Sequence, residues 1–426
     1  MDDTGELLFE RFEGVRLHPW KNHRRTKDTI VGPVVNMDKY PVFMRHHAFK
    51  NVWGTEPKQV EDENYRHLDE PCLYGGMIDF RHFGHLAAEY VHRLWVLSRL
   101  NETRKVIFVG LDRADTLPIP EVFHEMMAYL GVENWEILFE PVVVADLIVG
   151  AQGKLAGRQQ KAGYGNYLAQ CERRLTIDAA DNLPDKVAVL RSHRDGEVGG
   201  RLVGEKCLES ALQEEGYIAF RPEEHPLEHQ LKILKNAKKI IISEGSAIHL
   251  FDLIATTTAD VAVINRRPYS KLARASLTNK VKSLNVYSDV NFVLHRNKDK
   301  KSDPNRSLTY SPLAKIFAFF RDQKFIRQSP DIQSTAYEDV LKYLQLNDAQ
   351  FEDAASEPDW VVERLLGVIS KKIGANKQLR AENMVLSARL HIASNDPGAA
   401  KELLDQVLKL NPGNAVASEI LEELGA

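Results

Sequence analysis

The chain has only three cysteines in 426 residues, Cys72, Cys171 and Cys207, widely spaced and without a Cys-x-x-Cys pair. That excludes a disulfide scaffold and a thiolate zinc cluster, and it fits a reducing compartment. No apolar run approaches the roughly 20 residues that a membrane helix requires. The longest, Val142 to Val149, contains Asp146 and reads as a buried strand. An excess of one charge is missing too: 56 Lys and Arg against 60 Asp and Glu leave a net charge of -4. No global basic field therefore gathers nucleic acid or anionic lipid, and a phosphate-bearing ligand needs a local site. There is no Gly-x-x-x-x-Gly-Lys-Ser/Thr loop, and no Gly-x-Gly-x-x-Gly follows a strand, which weighs against ATP hydrolysis and dinucleotide redox chemistry. The first residues, Met1-Asp-Asp-Thr-Gly-Glu6, are acidic and unlike a signal peptide. The expectation is a cytoplasmic protein that touches a membrane only from its surface.

With 43% hydrophobic and 27% charged residues, the chain has enough apolar material for two or three globular domains. The first eighty residues suggest short strands with long connections, Ile30-Val31 and Val34-Val35 among them. From His82 to Asn101, Leu86, Tyr90, Val91, Leu94 and Leu97 recur at helical spacing and predict a continuous helix. A strand at Lys105–Gly110, a helix at Ile119–Leu130 and a strand at Trp135–Phe139 follow. A second series begins at Lys186–Leu190. It continues through a helix at Val203–Glu215, a strand at Tyr217–Phe220, a helix at Pro226–Ala237 and a strand at Lys239–Ile242. A helix from Ser246 to Ala255 and a strand at Val261–Ile264 close it. Strands and helices in alternation imply parallel α/β sheets. Two such units, separated by the polar stretch from Cys171 to Pro184, predict two nucleotide-binding-like domains whose cleft is the default site.

The expected limits are 1–180 for an acceptor-side α/β domain and 181–300 for a nucleotide-binding one. A linker with a bracing helix then covers 301–335, and a helical tail covers 336–426. Arg296 to Arg306 reads as a solvated loop, and Pro312 to Phe325 as a strongly apolar helix. In the tail, Ala388, Ala399-Ala400, Leu403-Leu404, Val407-Leu408 and Leu410-Asn-Pro412 resemble one tetratricopeptide unit. A helical hairpin packed on the body and a peptide-binding array both fit that pattern, and neither puts catalysis there.

Three segments carry candidate chemistry. The strand running from Ile240 into Gly245-Ser246-Ala247 places small residues where backbone must approach a ligand. The helix after it offers unpaired N–H groups to an anion, unless Ser246 is only a cap. Arg191 stands just beyond the strand ending at Leu190, where ligands bind in doubly wound sheets, and a guanidinium grips a diphosphate with paired hydrogen bonds. The glycine-rich loop behind it supplies His193, Arg194 and Arg201, each of which also reads as part of a solvated turn. Glu205 on the next helix is an orienting carboxylate or a surface charge. Finally, His85, Glu89 and His92 share one helix face. A metal site, an acid/base pair and a structural cluster compete there. Metal is the least attractive, because one helix rarely closes a coordination sphere. Glu89 suits a base, or His85 does with Glu89 orienting it; His92 reads equally as structural, with Arg93 beside it the more important group.

Together these segments resemble glycosyltransferase family 61, in its bacterial polysaccharide-biosynthesis-like branch. Phe83-Gly-His-Leu-Ala-Ala-Glu-Tyr-Val-His-Arg-Leu94 is similar to the family's Gly-His-x-x-x-Glu-x-x-Pro-Arg-Leu helix, with His92 in place of proline. Leu190-Arg191 through Arg201-Leu-Val-Gly-Glu205 resembles its Arg...Arg-x-x-Asn-Glu block, with Gly204 replacing asparagine. Gln230, Ala237 and Glu244-Gly-Ser-Ala-Ile-His-Leu-Phe251 resemble its Gln...Ala...His-Gly-Ala-Gly-Leu-Thr-Asn-x-x-Phe block, departing at Glu244 and Leu250. The resemblance covers about 70 to 270. It implies a GT-B-like pair of Rossmann-like domains and an inverting transfer of a hexose or pentose from a nucleotide sugar. It also implies no cofactor beyond that co-substrate and usually no bound metal. The acceptor would be a glycan or lipid-linked glycan in capsule, exopolysaccharide or lipopolysaccharide assembly, at or near the inner membrane. Glu89 and His85 would be catalytic. Arg191, Arg201, Gly245, Ser246, Ala247, His249 and Asn265 would hold the donor, with Arg93, Glu205 and Glu244 as further cleft groups. Two rivals are another nucleotide-sugar enzyme, and a noncatalytic scaffold that binds a protein through its helical tail.

Overall fold

The computed structural model describes residues 7–19, 32–34, 46–48, 51–53, 65–110, 117–154, 160–178, 181–194, 200–202, 204–267, 270–290, 292–294, 308–328 and most of 381–425. By chain contacts these fall into two compact units. The first comprises residues 1–189, 216–264 and 269–286, and the second 190–215, 265–268 and 287–426.

The first unit is mixed α/β with parallel sheets. A seven-stranded sheet runs in the order Gly32–Val34, Phe9–His18, Val142–Gly150, Cys72–Ile78, Lys105–Gly110, Trp135–Leu138, with Arg66–Leu68 also paired to Val142–Gly150. Its central strands are parallel, and Phe9–His18 joins Val142–Gly150 antiparallel. Because strand side chains alternate, Cys72, Tyr74, Ile107 and Val109 pack on one face. Leu73, Val106 and Phe108 face the main core on the other.

A five-stranded sheet follows in the order Ile218–Ala219, Lys186–Val189, Lys239–Ser243, Asp260–Ile264, Ser283–Tyr287. Its first three pairings are parallel. In chain order this is 2-1-3-4-5, a doubly wound arrangement whose switch point lies between the carboxyl ends of Lys186–Val189 and Lys239–Ser243. Polar contacts join the segments that flank the two sheets. Glu125 on Glu121–Tyr129 accepts the first N–H of Leu227–Asn236 at 2.9 Å, and the Tyr129 hydroxyl donates to the Leu253 carbonyl at 2.9 Å. The Glu172 carboxylate accepts the Ala255 N–H at 2.7 Å.

The segment predicted as one helix over 82–101 is helical but broken. A short α turn at Phe83–His85 passes into a π-helical turn at Leu86–Tyr90, and a 3-10 helix covers Leu94–Arg99. The expected helix after Gly245 is a 3-10 helix, Ser246–Leu253.

In the second unit, Arg201–Leu202 pairs with Leu308–Tyr310, which pairs antiparallel with Phe292–Leu294. Helix Glu205–Glu214 starts at Gly204, whose φ of 80° is in the left-handed region that glycine and asparagine tolerate best. The expected apolar helix is present as Leu313–Asp322, burying Leu313, Ile316, Phe317 and Phe320. Helices Pro397–Leu410 and Ala415–Glu423 are capped by the side chains of Asp396 and Asn414, and they share a core of Ala400, Leu404, Val407, Ala417 and Ile420. The loop at 296–306, the Ile30-Val31 run and the tail from 337 to 380 lie outside the described residues.

Candidate active site

The first and third sequence blocks meet inside the first unit. The turn Phe83–His85 and the π turn after it pack against the 3-10 helix Ser246–Leu253. A Cβ placed on Gly84 would sit 3.0 Å from His249 Cδ2 and 3.5 Å from Ser246 Oγ, so only glycine allows this approach without movement. A 3-10 helix has three residues per turn and eclipses side chains at i and i+3. Ser246, His249 and Asp252 therefore line one face, and that face meets Gly84.

On the first block, His85 Nδ1 and a Glu89 carboxylate oxygen are 3.2 Å apart. The His85 side chain is 28% exposed and that of Glu89 only 5%. The pair thus has its imidazole outward and its carboxylate inward, as an oriented base requires. Neighbouring Tyr90 is buried, and burial together with the Glu89 carboxylate pushes its phenol far above the ordinary range.

His92 and Arg93 are placed differently. His92 is fully buried, donates from Nε2 to the Ala87 carbonyl at 2.9 Å and stacks on Tyr164 at 4.5 Å. Burial pulls its imidazole down to about 3, so it is neutral at physiological pH. The Arg93 guanidinium, equally buried, lies over the Tyr74 ring and donates to the Gly150 carbonyl. Both support the turn from beneath.

On the third block, Gly245 is extended, at φ -177° and ψ -173°, and ends the strand Lys239–Ser243. Ser246 is exposed and Ala247 half-buried, at the start of the 3-10 helix. Glu244 points into the protein: it is fully buried and its carboxylate accepts from the Ser270 hydroxyl.

His249 belongs to a charge cluster that sequence reasoning missed. Its Nδ1 donates to Asp252 Oδ2 at 2.9 Å, and the Asp252 side chain is 0% exposed. Lys154 Nζ lies 2.5 Å from Asp252 Oδ1, Lys280 Nζ 3.9 Å from it, and the Ser276 hydroxyl 3.2 Å from Oδ2. Asp252 is desolvated, but the two lysines and His249 more than offset this and hold its carboxyl well below the carboxylate range. Burial pulls the Lys280 ammonium down to about 8. The available signal was the i, i+3 spacing of His249 and Asp252; Lys154 and Lys280 are too remote in sequence to have suggested themselves.

The remaining predicted residues belong to the second unit. Arg191 is half-buried, and next to it Ser192 donates to Glu209 at 2.7 Å. Arg201 and Glu205 are buried, the first in its strand and the second opening its helix. Asn265, also buried, donates from its side chain to Ser288 at 3.1 Å and from its backbone to the Tyr287 carbonyl at 2.9 Å. His193 is exposed. Among the described residues, no group of three or more His, Cys, Asp or Glu is placed to hold a metal ion.

Residues 83–259 match the sequence model of the family described as Glycosyltransferase 61. Over this segment the chain is similar to glycosyltransferase family 61. The matched span opens at the first residue of the first block and closes beyond the third, so it contains both elements that meet at Gly84. A glycosyltransferase binds a sugar donor and an acceptor. None of the curated proteins compared with the chain matches it. Among the described residues no helix is long and apolar enough to cross a membrane.

Proposed function

We propose that the protein is an inverting glycosyltransferase that moves a hexose or pentose from a nucleoside diphosphate donor to a glycan or lipid-linked glycan. The process would be bacterial surface polysaccharide assembly at the cytoplasmic side of the inner membrane. The observation that carries the reading is the close approach of Gly84, in the turn that leads into the His85–Glu89 pair, to Ser246 and His249 on the facing 3-10 helix. An inverting displacement needs a base on the acceptor side and anion-binding groups on the leaving-group side.

In this scheme Glu89 is the base, directly or through His85. The N–H groups at Gly245, Ser246 and Ala247 receive the diphosphate, with His249 beside them. Arg191, Arg201 and Asn265 are further donor contacts on the strength of the sequence blocks, and Glu205 orients one of these arginines. Arg93 and Glu244, buried beneath their turns, hold backbone in place. Charge on the leaving diphosphate is balanced by side chains and backbone, without a bound metal. The GT-B-like pairing and the tetratricopeptide-like character of the tail belong to the same proposal.

A melting-temperature panel of nucleoside diphosphates and nucleotide sugars tests it, because a ligand of the native state raises the midpoint by mass action. One nucleotide should raise the midpoint, and transfer from its sugar should give a product of opposite anomeric configuration. A folded protein that answers to no nucleotide, or a product of retained configuration, overturns the reading.

A further inference from the structure

Among the buried groups that the chemistry assigned above leaves unused is the Asp252 carboxylate. We propose that Asp252 is a positioning residue: it pins the Nδ1 proton of His249 and so presents the ring's Nε2 edge to the departing phosphate of the sugar donor. The inference rests on the donor reading in the preceding subsection and deepens it.

The geometry leaves little choice of tautomer. Asp252 is wholly buried, with Lys154 Nζ at 2.5 Å and Lys280 Nζ at 3.9 Å from one oxygen. A carboxylate so surrounded is ionised and can only accept hydrogen bonds. Its second oxygen lies 2.9 Å from His249 Nδ1 and therefore takes a proton from that nitrogen. Nε2 is then an acceptor in the neutral ring and a donor in the charged one. The ring's Cδ2 edge, which carries Nε2, faces Gly84 at the turn leading to His85 and Glu89. His249 keeps 16% of its side chain exposed, whereas Asp252 keeps none.

A purely structural role would not call for this histidine. Lys154 and Lys280 already outnumber the single carboxylate, so His249 is not needed to neutralise it. The groups facing the ring are Ser246 and Asp252 on its own helix and the Gly84–Glu89 turn opposite. Lys154, Ser276 and Lys280 stand behind Asp252. A diphosphate arriving at the exposed edge favours the second proton on Nε2. As transfer proceeds, the acceptor oxygen bonds to the anomeric carbon and loses its proton to the Glu89–His85 pair. The bond from that carbon to the phosphate oxygen breaks, and its electron pair remains on the oxygen. The Nε2–H of His249 donates a hydrogen bond to that oxygen as its charge grows.

The test uses the full chain labelled with nitrogen-15 in histidine, with His249 assigned by His249→Gln. Long-range proton–nitrogen spectra should show His249 carrying a proton on Nδ1. Adding uridine diphosphate, guanosine diphosphate or inorganic diphosphate should move Nε2 toward its protonated position for whichever one raises the melting midpoint. His249→Gln should weaken that diphosphate about tenfold or more, the value of a charge-assisted hydrogen bond. Asp252→Asn combined with Lys154→Met, which keeps the buried charge closer to balance, should weaken it similarly and lose the fixed tautomer.

A wild-type ring protonated at Nε2 and not at Nδ1 overturns the proposal. So does a ring that does not respond while the diphosphate still raises the midpoint, in which case the donor reading stands and only this inference falls. No midpoint change with these three probes or with any other nucleoside diphosphate or nucleotide sugar of the panel overturns both.

Discussion

Removing the Asp252 charge should destabilise the first unit more than removing Lys154, and removing both should recover part of the loss. At 2.5 Å the Asp252–Lys154 pair has a gross attraction of about 7 kcal/mol at an effective dielectric constant of 20. Desolvating each ion costs several kcal/mol in return, so the pair's net worth is small while the cost of breaking it is large. Asp252→Asn leaves two buried ammonium groups without a counter-ion and should cost about 3–5 kcal/mol. Lys154→Met is milder, because Asp252 keeps the His249 N–H at 2.9 Å and the Ser276 hydroxyl at 3.2 Å; the expected cost is about 1–3 kcal/mol. Adding Lys154→Met to Asp252→Asn should return about 2 kcal/mol, the signature of coupled rather than independent sites. Urea unfolding followed by tryptophan fluorescence reads this directly, since Trp95 and Trp135 lie in the first unit. Additive losses, or an Asp252→Asn variant within 1 kcal/mol of wild type (roughly the error of such comparisons), would refute the charge cluster.

His92 should make the fold acid-sensitive. Its folded value near 3 lies below the ordinary 6.5, so its contribution is complete above pH 6.5 and is lost as pH falls from 6.5 towards 3. The full span is on the order of 5 kcal/mol, and comparing wild type with His92→Phe across that window isolates it. Gly84→Ala should separate stability from binding. Alanine favours the helical turn by roughly 0.5–1 kcal/mol, yet its Cβ would press on His249 Cδ2 at 3.0 Å. Melting should therefore hold or rise while nucleotide affinity falls, and an unchanged affinity in titration calorimetry would count against a donor site on that face.

The alternating α/β pattern was legible wherever apolar runs were short and unbroken. Lys105–Gly110 has the predicted bounds, and Lys239–Ser243 and Asp260–Ile264 lie within one residue of theirs. Cys72–Ile78 escaped because Gly75-Gly76 in its middle reads as a turn. In the sheet, a Cβ at Gly75 would lie 2.5 Å from the Phe108 ring, and Gly76 takes φ 124° beside a bulge. Helix Ala162–Glu172 escaped likewise, since Gly163 and Gly165 weaken a pattern whose buried face is Tyr164, Tyr167, Leu168 and Cys171. Spacing recognised the periodicity of 82–101 but not its break into π and 3-10 turns, which burial of His92 and Arg93 accompanies. At the site, the His85–Glu89 pair followed from i, i+4 spacing. Asp252 and its lysines did not, because 98 residues separate Lys154 from its partner and only the fold joins them.

The most direct measurement is nucleotide binding and sugar transfer in one preparation of wild type and Glu89→Gln. The account predicts that Glu89→Gln keeps the nucleotide-induced rise in melting midpoint, while transfer falls about a hundredfold or more, the usual contribution of a general base. Transfer at the wild-type rate in Glu89→Gln, or loss of nucleotide binding with it, would contradict the division of this site into a base on the first block and a donor face on the third.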